Sequence, residues 1–96
     1  MQLEILTPEH RIFEHTVDAV QVPGANGLFQ ILDGHAPLIS TLQPGTVKID
    51  LPTDSKKLDS LHGSLERDKS DDRLLRLPID GGVVEVTKER VIILAD

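Results

Sequence analysis

Pro44-Gly45-Thr46-Val47-Lys48-Ile49-Asp50-Leu51-Pro52 is the stretch that decides the fold. Val47, Ile49 and Leu51 alternate with Lys48 and Asp50, so an extended chain buries one face and wets the other. A turn-forming Pro-Gly opens the run, and a proline, which has no N–H to give a ladder, closes it. The same period extends in both directions. Leu3 and Ile5 share a face of Gln2–Leu6 before Thr7-Pro8, and Val20 and Val22 flank Gln21 before Pro23-Gly24. Leu75, Leu77 and Ile79 share a face and stop at Asp80-Gly81-Gly82, and Val84 and Val86 flank Glu85. Val91–Leu94 is a short β-branched run after the polar turn Thr87–Arg90. Strands bounded by turn chemistry about every 8–12 residues predict an all-β sandwich or flattened barrel. No helix-period stripe appears in the first half of the chain.

Pro52–Arg73 departs from this. It holds eleven charged residues in twenty-two, four serines, and only Leu58, Leu61 and Leu65 as apolar residues. Its composition predicts a solvated, mobile connection between the strands Val47–Leu51 and Leu75–Ile79. The leucines stand three and four apart, so a short amphipathic helix that docks on a partner is the alternative, although Gly63 interrupts it. Either way the segment reads as an insertion in one hairpin of a single domain, residues 1–96. Its replacement between residues 54 and 72 by a short turn is expected to leave the fold intact.

Composition narrows the function. With 96 residues there is room for one domain, and with no cysteine no disulfide or zinc–thiolate site can hold it together. Phe13 and Phe29 are the only aromatics, which disfavours partners read by stacking on aromatic platforms. A net charge of -6 with no basic stretch disfavours nucleic acid and anionic lipid. The longest uncharged stretches, Ala19–Leu32 and Gly34–Val47, are fourteen residues each, too short for a spanning helix of about 20 residues. The start of the chain carries no basic and apolar signal pattern, so a cytoplasmic location without membrane insertion is expected.

Catalytic patterns are sparse. Pro23-Gly24-Ala25-Asn26-Gly27 lacks the spacing and lysine of a phosphate loop, and no serine stands in a Gly-x-Ser-x-Gly elbow. Histidine is the candidate for chemistry: His10, His15, His35 and His62 are all potential ligands. His10 and His15 fall on opposite faces of a strand, and His35 lies in a Gly- and Pro-flanked loop where an imidazole braces backbone or meets a partner. Asp33-Gly34-His35 could orient an imidazole through a carboxylate, but no third group is visible. No catalytic residue and no metal ligand are assigned, and no cofactor is expected.

Seven pieces occur in order: Gln2-Leu3-Glu4-Ile5-Leu6-Thr7-Pro8-Glu9, then Phe13, Val20-Gln21-Val22-Pro23-Gly24 with Gly27, Gly34-His35-Ala36-Pro37-Leu38, Leu42 with Pro44-Gly45, Gly81-Gly82 with Glu85-Val86, and Val91 with Leu94-Ala95-Asp96. In this order they resemble the N-terminal β-sandwich of the epsilon subunit of bacterial and chloroplast ATP synthases, over residues 1–51 and 74–96. The resemblance implies two roughly five-stranded sheets and a non-catalytic rotor part. That part would join the gamma subunit to the polar loops of the c-ring, with alpha and beta as indirect partners, at the cytoplasmic face of a bacterial plasma membrane.

Carried over by position, the ring-facing end would be Gly27, Leu28 and the loop Gly34, His35, Ala36, Pro37 and Leu38. Leu28 stands where many relatives carry an acid, and Asp33 where proline is common, so Asp33 would take over the acidic contact. Relatives usually continue past Leu-Ala-Asp into two helices that brake ATP hydrolysis. A chain ending at Asp96 would couple the rotor without that brake, with Pro52–Arg73 as a new contact in place of a short hairpin turn. The alternative is a free-standing β-sandwich binding module or metal-dependent enzyme using His35.

Overall fold

The computed structural model describes residues 1–53 and 61–96. Among them are ten strands and no helix: β1 Gln2–Leu6, β2 Arg11–Thr16, β3 Ala19–Gly24, β4 Gly27–Leu32, β5 Leu38–Leu42, β6 Gly45–Asp50, β7 Glu66–Arg67, β8 Leu74–Ile79, β9 Gly82–Val86 and β10 Arg90–Ala95. Hydrogen bonding runs β2-β1-β10-β9-β5 and, through the single pair Gly24↔Leu42, on into β3-β6-β8-β7, with β4 on the far side of β3. Divided at that pair, the molecule is two five-stranded sheets, sheet I (β2-β1-β10-β9-β5) and sheet II (β4-β3-β6-β8-β7). The expected partition holds.

Alternation explains the core. Val47 and Ile49 of β6, Leu75 and Leu77 of β8, Val20 and Val22 of β3, Leu3 and Ile5 of β1, Val84 of β9 and Ile93 of β10 are all buried in one cluster between the sheets. The inner faces are aliphatic, so the interior is filled by branched side chains at close packing. β1 pairs with β10 in parallel, Gln2 opposite Arg90 through Leu6 opposite Leu94. This clasp joins the first strand to the last. Glycine is required where β9 begins. Gly82 has φ 148°, and a Cβ there would lie 2.1 Å from the Leu94 carbonyl oxygen. The Asp80-Gly81-Gly82 signal is thus a close approach of two strands as well as a turn.

Four strands escaped the alternation reading. β2 pairs with β1 through a register shift between Ile5 and Leu6, and adjacent Ile12 and Phe13 are both buried. A bulge puts two neighbours on one side and erases period 2 locally. β4 and β5 carry apolar residues on both faces, and β7 is two residues long and fully charged. Pro23-Gly24, read as a stop, instead ends inside β3.

The insertion differs from expectation in its described part. Residues 54–60, and with them Leu58 of the helical alternative, lie outside the described residues. Leu65 is buried in the main core, and Leu61 packs partly buried against it. β7 then adds to the edge of β8, Glu66 opposite Arg76 and Arg67 opposite Leu75. Residues 61–73 therefore lie against the sandwich. The turn replacement between residues 54 and 72 would remove Leu65 from the core, contrary to its expected neutrality.

Candidate functional site

The candidate residues lie on and around β4. A two-residue turn, Ala25-Asn26, joins β3 to β4, pairing Gly24 with Gly27. Gly24 has no Cβ because the Phe29 ring takes its place: a Cβ there would meet Phe29 Cε1 at 2.6 Å. β4 then runs antiparallel to β3 until Leu32 lies opposite Ala19. Gly27 and Leu28 thus stand at one end of β4, and the Asp33–Pro37 loop leaves from the other, ~17 Å away at 3.3–3.4 Å per residue. The structure does not bring the two halves of the predicted ring-facing end together.

The loop is braced internally. The His35 backbone N–H donates to the Leu32 carbonyl at 3.1 Å, closing a tight turn in which Gly34 takes φ 84°. His35 Nδ1 lies 2.7 Å from the Ala36 carbonyl oxygen. A carbonyl only accepts, so Nδ1 carries the proton and Nε2 remains available. His35 is half-buried, Asp33, Ala36 and Pro37 are exposed, and Leu38 packs against the core edge. The loop lies beside Met1 and the Thr87–Arg90 turn around a recess of only ≈ 20 Å³, which is space for water and not for a substrate. Among the described residues no three His, Asp or Glu side chains gather where they could hold a metal ion.

His10 and His62 approach each other, ring centroids 5.7 Å apart, but as a pair only. His15 Nδ1 lies 2.7 Å from the Thr16 carbonyl, the same bracing seen at His35. Among the described residues the one clearly displaced carboxyl is Asp68. The Ser70 hydroxyl, Arg76 and the Ser70 N–H hold it far below the usual aspartate range. It organises the loop after β7, accepting also from the Asp71 N–H at 2.9 Å.

A further surface was not assigned from sequence. On the outer side of sheet I, Leu6, Leu94 and Val83 stand opposite one another across β1, β10 and β9, and Ile39 lies one row over, opposite Glu85. Ile39 is 72% and Leu94 52% exposed. Leu6, Pro8, Val83 and Leu94 line a groove of ≈ 420 Å³. Beside it Glu4, nearly buried, is paired with Arg11 at 3.1 Å and Arg90 at 3.6 Å. Contiguous exposed apolar side chains with a paired polar border mark a docking surface more than a reaction site. The signal was present in Val91-Ile92-Ile93-Leu94 and in Ile5-Leu6, which are apolar on both faces of a strand.

Among the described residues no helix is long and apolar enough to cross a membrane. A family model described as the β-sandwich domain of the ATP synthase delta/epsilon chain matches residues 1–65. The chain is similar to the ATP synthase epsilon chain of Chlorobium limicola, 36% identical over 95 residues, 99% of this chain and 88% of that one. It is 35% identical to the epsilon chain of Chlorobaculum tepidum, covering 98% of this chain and 86% of that one. The epsilon chain of Granulibacter bethesdensis is 36% identical, but there the match spans only 56% of the relative's length. Among solved structures, a chain of the Tetrahymena thermophila mitochondrial ATP synthase central stalk and c-ring superposes with TM-score 0.73 at 14% identity, over 98% of this chain and 61% of that one. A chain of the Euglena gracilis mitochondrial enzyme gives TM-score 0.72 at 18% identity, over 97% and 48%. At such identities the structural likeness concerns the fold.

Proposed function

Because this chain belongs to the family of ATP synthase delta/epsilon-chain β-sandwich domains, we propose that it is a non-catalytic subunit of the central stalk. It joins the gamma subunit to the c-ring and carries torque between them, at the cytoplasmic face of a bacterial plasma membrane. The observation that carries this reading is the outer face of sheet I, where Leu6, Val83, Leu94 and Ile39 offer a contiguous apolar surface on a close-packed sandwich. A rotor part needs area and stiffness. Strands paired on both sides, with close-packed aliphatic side chains between two sheets, resist shear.

In this reading the gamma subunit covers the apolar face of sheet I. The Asp33–Leu38 loop meets the polar loops of the ring, with Asp33 as the acid and His35 Nε2 as a hydrogen-bonding group. Leu28, at the far end of β4, meets a different part of the assembly from His35. The test is to purify the tagged chain from gently solubilised membranes of its host and identify what accompanies it by mass spectrometry. Alpha, beta, gamma and c subunits in stoichiometric ratio are expected. Leu94→Asp should release them all, and Asp33→Asn with His35→Ala should loosen the c subunits alone. Recovery of the chain by itself, while the host's ATP synthase stays whole, would overturn the reading.

A further inference from the structure

The sheets leave strand edges open, and they are guarded unequally. β2 carries Arg11, Glu14 and His15, and β7 is two residues long and charged. β5 follows Pro37 and is closed at its far end, where the Ala25 N–H donates to the Thr41 carbonyl and the Gln43 N–H to that of Pro23. β4 is guarded least: only the Leu32 carbonyl at its end is taken, by the His35 N–H. Among the described residues it pairs only with β3, it has no bulge, and no charge occurs from Ala19 to Leu32. Leu28 and Leu32 are 64% and 54% exposed on its outer face. A six-residue, bulge-free, uncharged edge with outward leucines is a template for another strand.

The free backbone groups can be named. Gly24 and Gly27 close a two-residue hairpin as a hydrogen-bonded pair, so alternation makes Val22–Phe29 and Val20–Ile31 bonded pairs too. The N–H and C=O groups of Leu28, Gln30 and Leu32 therefore point away from β3. The Leu32 carbonyl agrees, since it accepts from the His35 N–H in the following loop.

We propose that the free chain forms a two-fold dimer by pairing β4 with β4 of a second copy, antiparallel about Gln30. The strand is self-complementary in that register. Leu28 and Leu32 stand two residues either side of Gln30, so each Leu28 lies against the partner's Leu32 and the glutamines lie together. The glutamines exchange a pair of backbone hydrogen bonds, and each Leu32 N–H donates to the carbonyl of the partner's Leu28. No charge is buried, although each copy carries -6 overall. Sheet II becomes a continuous sheet across the dimer. The pairing belongs to the free chain, whatever that chain joins afterwards, and it covers Leu28 while leaving the outer face of sheet I open.

Sedimentation of the purified chain from micromolar to millimolar concentration tests this. The expected result is a monomer–dimer equilibrium that Gln30→Lys abolishes, leaving the monomer mass throughout, because two ammonium groups then face each other at the two-fold axis. Gln30 is exposed, so the variant should keep the thermal midpoint of the parent. Gln30→Cys adds a second readout in a chain with no cysteine. At a bonded antiparallel pair the Cα atoms are about 5.5 Å apart, within disulfide reach of about 4.4–6.8 Å, so mild oxidation should give a covalent dimer. Leu94→Cys, on the outer face of sheet I, should stay monomeric under the same oxidation. A monomer at every concentration overturns the proposal. So does a dimer that persists in Gln30→Lys and cross-links through Leu94→Cys.

Discussion

Leu75 and Leu65 reach the same core from neighbouring parts of the chain and are held there by different physics. Leu75 is fully buried in a six-residue strand, β8, which pairs along its whole length with β6. Leu65 is 8% exposed, precedes a two-residue strand at the open edge of sheet II, and sits in the charged insertion. Around Leu75 a ladder satisfies the backbone. Around Leu65 local polar bonds do much of it: the Leu65 N–H donates to the His62 carbonyl, and Asp68 gathers Ser70, Asp71 and Arg76. One leucine is fixed by long-range pairing. The other is a peg on a loop that organises itself.

The largest expected effect comes from attacking the ladder. Gly82→Val puts a side chain against the Leu94 carbonyl at a left-handed φ, forcing β9 and β10 apart. The sandwich should fail to fold at ambient temperature, taking Leu65's site with it; circular dichroism and solubility report this directly. Next, Leu75→Ala should cost ~2–5 kcal/mol in urea unfolding, as a cavity in a core that cannot collapse around it. Leu65→Ala should cost less, ~1–2 kcal/mol, because the loop can settle into the vacated space. Equal losses at the two sites would break the comparison and make residues 61–73 part of the cooperative core.

A smaller effect sharpens it. Asp68 is held below its ordinary pKa when folded, chiefly by the Ser70 hydroxyl and then by Arg76. Its ionised form is therefore favoured by folding, and this contribution is complete at neutral pH. It declines once pH falls below the unfolded value of about 3.9 and continues to decline toward the acid limit. The stability difference between the parent and Asp68→Ala should accordingly be greatest near neutrality and shrink at acid pH. A difference that stays constant would show that the carboxylate charge is not what holds the loop. The smallest effect belongs to His35→Ala, within about 0.5 kcal/mol of the parent, since the side chain braces only its own loop.

Legibility followed locality. Where apolar and polar residues alternate along a regular strand, as in β1, β3, β6, β8 and β9, that alternation was enough. β2 was hidden by its bulge, which buries Ile12 and Phe13 together. β4 and β5 were hidden by exposed Leu28, Leu32 and Ile39, whose surroundings no local pattern specifies. The His35 loop was legible as a loop from Gly34 and Pro37, and its bracing role follows from imidazole chemistry. Its distance from Leu28 was not legible, because sequence proximity across a six-residue strand does not say which end of a sandwich each residue occupies.

The sequence by itself determined the all-β class, the turns, the aliphatic core positions and the family. These rest on side-chain chemistry repeated at period 2, which each segment carries alone. Only the tertiary structure decided that the sheets join at Gly24 and Leu42, that β1 lies parallel to β10, that Leu65 belongs to the core and that, among the described residues, β4 pairs on one side only. Strand pairing is a choice among distant partners, made by whichever arrangement closes both apolar faces at once while satisfying the backbone, and no single segment contains that information.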